Sequence, residues 1–113
     1  MKDRLLQVLS HHIGADNGTS VSQLARAIVP VFPTPADERR IRHAIEELRA
    51  EGHHICAHPS TGYYIAETDD ELDRTCTFLY RRAMTSLRQV AAMKRVSLPD
   101  LAGQLNIRLE EPQ

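Results

Sequence analysis

Thr34-Pro-Ala-Asp-Glu-Arg-Arg-Ile-Arg-His-Ala-Ile-Glu-Glu-Leu-Arg-Ala-Glu-Gly52 is the stretch on which the fold turns. Thr34 is a good N-cap, and Pro35 fits the first helical position, where a backbone N–H is not needed. Asp37 and Glu38 favour the positive end of the helix dipole. Ile41, Ile45 and Leu48 follow at alternating steps of four and three, so one face is apolar, and Gly52 supplies a stop. The spacing predicts a helix over 35–51. With its apolar face turned inward, Arg39, His43 and Glu46 stand opposite, and Arg40 and Arg42 lie on the flanks.

Upstream, Leu5, Leu6, Val8, Leu9 and Ile13 predict a short amphipathic helix over 3–13, ended by Gly14-Ala-Asp-Asn-Gly18. Val21, Leu24, Ala25 and Ile28 predict a second, with Ser20 and Gln23 as a capping box or Ser22 as the cap. Pro30, Pro33 and Pro35 make a stiff connector to the third helix. Downstream, His54–His58 and Gly62–Ala66 flank Pro59-Ser60-Thr61 in the pattern of a β-hairpin. Alternation places Ile55 and Ala57 on one face, and Tyr63 and Ile65 on one face of the partner strand. Thr68 with Glu71 then caps a long fourth helix, about 69–95, whose expected stripe is Leu72, Cys76, Leu79, Ala83, Leu87 and Val90. Pro99 interrupts, and Leu98, Leu101, Leu105, Ile107 and Leu109 suggest a short final turn that docks or frays.

Composition narrows the function classes. The chain has 113 residues, 42% hydrophobic and 26% charged, which suits one globular domain and excludes a disordered tail. No apolar run of about 18 residues exists, so no membrane span is expected. The opening stretch, broken by Gln7 and followed by His11 and His12, does not read as a signal peptide. Two cysteines, Cys56 and Cys76, point to a reducing cytoplasm rather than a disulfide scaffold. A net charge of −1 excludes a polycation but not a local basic patch. Of the basic residues only Lys2 and Lys94 are lysine, and arginine offers a planar fork that suits phosphates and guanine edges. Arg39, Arg40, Arg42 and His43 form one cluster; Arg81, Arg82, Arg88, Lys94 and Arg95 form a looser one. Glu67, Asp69, Asp70, Glu71 and Asp73 make an acidic block between them.

Helix, helix, longer helix and two-stranded hairpin is the order of a winged helix-turn-helix, here followed by a long C-terminal helix: a mostly α chain with a small β-hairpin. Glu38–Gly52, then Ile55-Cys56, then Gly62-Tyr-Tyr-Ile-Ala66 and an acidic-capped helix resemble the small winged-helix proteins of bacteria and their phages, over about residues 3–95. The resemblance implies double-stranded DNA binding, with the third helix reading the major groove and the hairpin acting as the wing. Carried over by position, Arg39, Arg40 and His43 face base edges, while Arg42, His58, Ser60 and Thr61 approach phosphates. The expected role is a small regulator of transcription, or of phage or plasmid replication.

Competing readings rest on other residues. Asp37, Glu38, Glu46, Glu47 and Glu51 share the third helix, so its arginines could form exposed i,i+4 pairs, and a near-neutral chain with an acidic block also suits a protein-binding adaptor. His54, Cys56 and His58 lie on one strand face, but residues i and i+4 of a strand are about 13 Å apart, too far for one ion to collect all three. They are expected as solvent-facing wing residues, with no metal and no cofactor. Cys76 is expected in the core. No Gly-rich phosphate loop or apolar-set carboxylate pair is present, so neither catalysis nor a small-molecule substrate is expected. The domain reading is a winged helix over 1–67, a long helix over 68–96 and a tail over 97–113. The long helix exceeds what a small winged-helix core can cover, so a homodimer through residues 72–93 is expected, with docking of the chain's own tail as the alternative.

Overall fold

The helices after the first begin where side chains take up free N–H groups. The Ser20 hydroxyl accepts from Gln23 N at 3.1 Å and Gln23 Oε1 accepts from Ser20 N at 2.9 Å, so Ser20 rather than Ser22 is the cap. Thr34 and Asp37 form a second reciprocal box: Asp37 N donates to Thr34 Oγ1 at 3.3 Å, and Thr34 N donates to Asp37 Oδ2 at 2.8 Å. The computed structural model describes residues 1–106. In chain order its elements are α1 (Lys2–Leu9), a 3-10 turn (Ala15–Asn17), α2 (Val21–Ile28), α3 (Pro35–Ala50), β1 (Ile55–His58), β2 (Gly62–Ile65), α4 (Asp69–Lys94) and α5 (Leu98–Leu105). This is a winged-helix layout with a long C-terminal helix. No helix among the described residues is long and apolar enough to cross a membrane.

The core sits among α1, α2 and α3. Leu5, Leu9, Leu24, Ile41, Ile45 and Leu48 are buried, and Ile55 of the hairpin closes them off, with Tyr63 and Ile65 packed alongside. Burying one such side chain stabilises by about 1.5–3 kcal/mol, so the inward face of α3 fixes its rotation. The strands pair antiparallel, with Ile55 opposite Ile65 and Cys56 opposite Tyr64.

Several expectations shift. α1 stops at Leu9 rather than 13, because the next residues are drawn into the sheet: Ile65 N donates to His12 O at 2.8 Å and Gly14 N donates to Ile65 O at 2.9 Å. Thr19 and Tyr63 exchange a second pair, at 2.8 and 2.7 Å. Segment 12–19 therefore lines the hairpin as a short third partner, which no alternation in the sequence announces. Gly18 and Gly62 permit the approach. A Cβ on Gly18 would lie 2.3 Å from Thr61 O, and one on Gly62, whose φ is +92°, would lie 2.4 Å from Thr19 O.

Cys56 is not a solvent-facing wing residue. It is fully buried on the hairpin face turned away from the three-helix core, and its thiol donates toward Glu71 O at 3.7 Å. Tyr64, 4% exposed, shares that face and hydrogen-bonds with Thr75, itself buried. The hairpin is thus apolar on both faces, which strand alternation read for one face alone does not reveal. Burial pushes the Tyr64 hydroxyl above its ordinary pKa.

The chain divides into two compact units, Met1–Thr75 and Cys76–Gln113. The first runs past residue 67, where a boundary was expected, because the start of α4 is tied to it. Thr68 Oγ1 accepts from Glu71 N at 3.2 Å as a cap should. The Glu71 carboxylate does not return the bond; it accepts from Ala15 N and Glu67 N, both at 2.8 Å. Those backbone donors hold the Glu71 carboxyl below its ordinary pKa.

In the second unit the buried positions of α4 are Met84 and Ala91, together with Leu101 and Ala102 of α5. The expected stripe lies roughly a third of a turn away. Cys76 is exposed rather than in the core, Leu79 and Ala83 are exposed, and Leu87 and Val90 are half-buried. Helix periodicity shows that α4 has an apolar stripe; it does not say that the stripe is the covered one. Of the residues expected in a final turn, Leu98, Leu101 and Leu105 form α5, whereas Ile107 and Leu109 lie outside the described residues.

Candidate nucleic-acid interface

α3 is held by its buried side, so its other side is free. Ile41, Ala44, Ile45 and Leu48 point inward, and Arg39, Arg40, Arg42, His43, Glu46 and Glu47 are exposed. The face is mixed in sign. Arg40 Nη2 is paired with Asp37 Oδ1. Arg42 Nη2 lies 3.9 Å from Glu38 Oε1, and the His43 ring lies 3.2 Å from Glu47 and 3.8 Å from Glu46. Arg39 has no ion-pair partner among the described residues. The paired groups remain open: the side chains of Arg40, Arg42 and His43 are 67%, 51% and 72% exposed. The Arg42 and His43 pairs are each worth about 0–1 kcal/mol, so these two groups can exchange partners.

Asp37 differs from the other acids. It is 7% exposed and is held by Thr34 N, by the Thr34 hydroxyl and by Arg40, which together keep its carboxyl below the ordinary value of 3.8. Its fixed carboxylate anchors the guanidinium of Arg40, while Arg42 faces the half-buried Glu38 and His43 the exposed Glu46 and Glu47.

An open cleft of about 860 Å³ runs between the start of α1 and the exposed face of α3, lined in part by Lys2, Arg39, Arg40 and His43. Lys2 is the member that the sequence did not suggest, since 37 or more positions separate it from the rest. It is fastened to the far end of α3, with Nζ 2.9 Å from Glu51 and 3.6 Å from Glu47. Arg49, also on α3, is used structurally, since its Nε donates to Ile55 O at 2.8 Å.

The wing tip contributes less. His58 and Ser60 are exposed, and His58 Nδ1 accepts from Ser60 N at 3.0 Å, which settles the tip conformation. Thr61, expected to approach phosphate, has its Oγ1 buried and without a hydrogen-bond partner among the described residues, and its backbone packs against Gly18. No arginine or lysine lies in the wing. Among the described residues no three His, Cys, Asp or Glu side chains gather as a metal ion would need.

The connector carries a feature that proline content alone did not flag. Val31 is 71% and Phe32 95% exposed, beside a groove of about 540 Å³ lined by Arg26 and by residues 29–33. Prolines at 30 and 33 stiffen this apolar protrusion immediately ahead of α3.

These elements define a winged-helix-like layout whose third helix is exposed and bears arginines. Comparison of the chain with protein-family models, with curated proteins and with solved structures gave no match.

Proposed function

We propose that the protein binds double-stranded DNA through α3, as a small cytoplasmic regulator of transcription or of phage or plasmid replication. The observation that carries this reading is the partition of α3: its apolar side is buried and Arg39, Arg40, Arg42 and His43 stand out from its N-terminal half. A helix so exposed fits a major groove about 12 Å wide, where arginine forks reach the O6 and N7 atoms of guanine. Arg39 and Arg40 read bases, Arg42 and the wing residues His58 and Ser60 approach phosphates, and the Asp37 carboxylate orients the Arg40 fork.

The test is binding to duplex DNA over a salt series. Log affinity should fall linearly with log salt. Arg39→Ala and Arg40→Ala should each weaken binding to a selected site by about 1–3 kcal/mol. A flat salt response, or no loss in either variant, removes α3 as the contact.

A second reading has its own support. The carboxylates beside the α3 basic groups, and the apolar protrusion at Val31 and Phe32, suit a protein partner. Under that reading Phe32→Ala abolishes partner binding while Arg39→Ala leaves it intact, and duplex DNA shows no salt-dependent association.

A further inference from the structure

The outward stripe of α4 in the second unit is Cys76, Leu79, Ala83, Ser86, Val90 and Met93. The steps along it alternate between three and four residues, the repeat that keeps one seam facing a partner helix. Cys76, Leu79, Ala83, Ser86 and Met93 are exposed, with Met93 at 77%. The inward face of α4, at Met84 and Ala91, is already covered. An apolar row about 26 Å long, with small residues at its middle, therefore lies open along a regular helix.

We infer that this row is a self-association seam on which a second copy of the chain docks with its α4 antiparallel. The charge order along α4 sets the direction. The helix opens with Asp69, Asp70 and Glu71, followed by Asp73, and closes with Lys94 and Arg95. Parallel pairing lays acid on acid and base on base, while antiparallel pairing lays the acidic end of each copy beside the basic end of the other.

A two-fold axis between positions 84 and 85 makes every layer self-consistent, as an isologous contact requires. Leu79 of each copy faces Val90 of the other, Ala83 faces Ser86, and Cys76 faces Met93. On the rim Asp73 meets Lys94, and neither has an ion-pair partner within its own chain among the described residues; Lys94 Nζ donates to the neutral Gln104 Oε1. Residues 107–113 are a poor match for the row, since they offer only Ile107 and Leu109 as large apolar side chains. The seam lies on α4 and does not depend on how α3 is used.

Sedimentation equilibrium on the full chain should give twice the 12.8 kDa chain mass. Leu79→Glu, at an exposed position, should raise the dissociation constant at least ten-fold with an unchanged far-ultraviolet circular dichroism spectrum. Direction is read by mild oxidation. The wild-type chain should stay uncrosslinked through Cys76, because the two copies of that residue lie at opposite ends of the seam. Met93→Cys should give a disulfide dimer that Cys76→Ser in the same chain abolishes. A monomer at all concentrations, a dimer indifferent to Leu79→Glu, or a wild-type Cys76–Cys76 crosslink each overturns the inference. So does a dimer seen only after residues 107–113 are removed, which would make the tail the occupant.

Discussion

Gly62→Ala tests how the wing is held to the body of the first unit. Two separable costs meet at this position. Its φ of +92° lies where an L side chain is strained, which costs about 1–2 kcal/mol. The added Cβ would also lie 2.4 Å from Thr19 O and 2.6 Å from Thr19 C, backbone atoms that no rotamer change can move. Relief requires the 12–19 segment to part from β2, breaking the Thr19–Tyr63 bonds of 2.8 and 2.7 Å. At about 0.5–1.5 kcal/mol each, those bonds bring the total to about 2–5 kcal/mol. Gly52→Ala is the matched control, since its φ of +99° carries the same conformational strain with nothing within 4 Å of the new Cβ. Urea unfolding followed by circular dichroism should place Gly62→Ala at least about 1 kcal/mol below Gly52→Ala, the worth of one lost bond. Equal losses in the two variants would mean that the Thr19–Tyr63 bridge contributes nothing, and the account of the third strand partner would fall.

Acid should weaken the fold through Asp37 and Glu71, whose folded pKa values lie below their ordinary 3.8 and 4.5. Their contribution is complete above the unfolded values and is lost as pH falls through the depressed folded ones, because the unfolded chain then binds more protons. Urea midpoints from pH 7 to pH 3 should therefore fall more steeply for wild type than for Asp37→Asn; parallel curves would contradict the assignment. Gly103→Ala lies inside α5 with open space around it, and should stabilise by about 0.4–1 kcal/mol, read as a higher melting temperature. Glu38→Gln releases Arg42 and should tighten duplex binding by about 0.3–0.5 kcal/mol, roughly two-fold. An affinity that does not change would show that Arg42 stays clear of DNA.

The parts of the fold legible in the sequence are those set by local physics. Thr34 with Pro35, and Ser20 with Gln23, mark helix starts because the capping atoms are three residues apart. Ile41, Ile45 and Leu48 mark the inner face of α3 because each falls close to a whole number of turns from the others. Contacts that join distant residues left no such trace. Lys2 reaches Glu51, Glu71 reaches Ala15, and Gly14 and Thr19 pair with β2, all across separations that periodicity cannot register. Cys56 and Cys76 exchanged their expected environments for a related reason. Alternation and helical phase sort residues into faces, but only tertiary packing decides which apolar face is covered. Of the candidate site, the α3 basic cluster points outward as its helical phase implies, Lys2 and Phe32 were missed, and Thr61, expected to approach phosphate, has its hydroxyl buried against the Gly18 segment.

The carboxylates on α3 weigh less against duplex binding than their number suggests, because they differ in what they do. Glu38, Glu46 and Glu47 approach Arg42 and His43 on an exposed surface, where a pair is worth about 0–1 kcal/mol and salt screens it. A phosphate brought to the same basic group can replace such a partner at little cost. Asp37 cannot be displaced so cheaply, since Thr34 fixes its carboxylate and burial shields it. Its effect on Arg40 is to hold the guanidinium in one place, and a side chain already held loses less entropy when it binds a base edge. If α3 meets DNA, Arg39, with no ion pair to give up among the described residues, should contribute attraction without exchange. The three arginines thus rank by the freedom of their partners. Arg39 should dominate affinity, Arg40 should dominate discrimination between sites, and Arg42 should show itself mainly in the slope of affinity against salt.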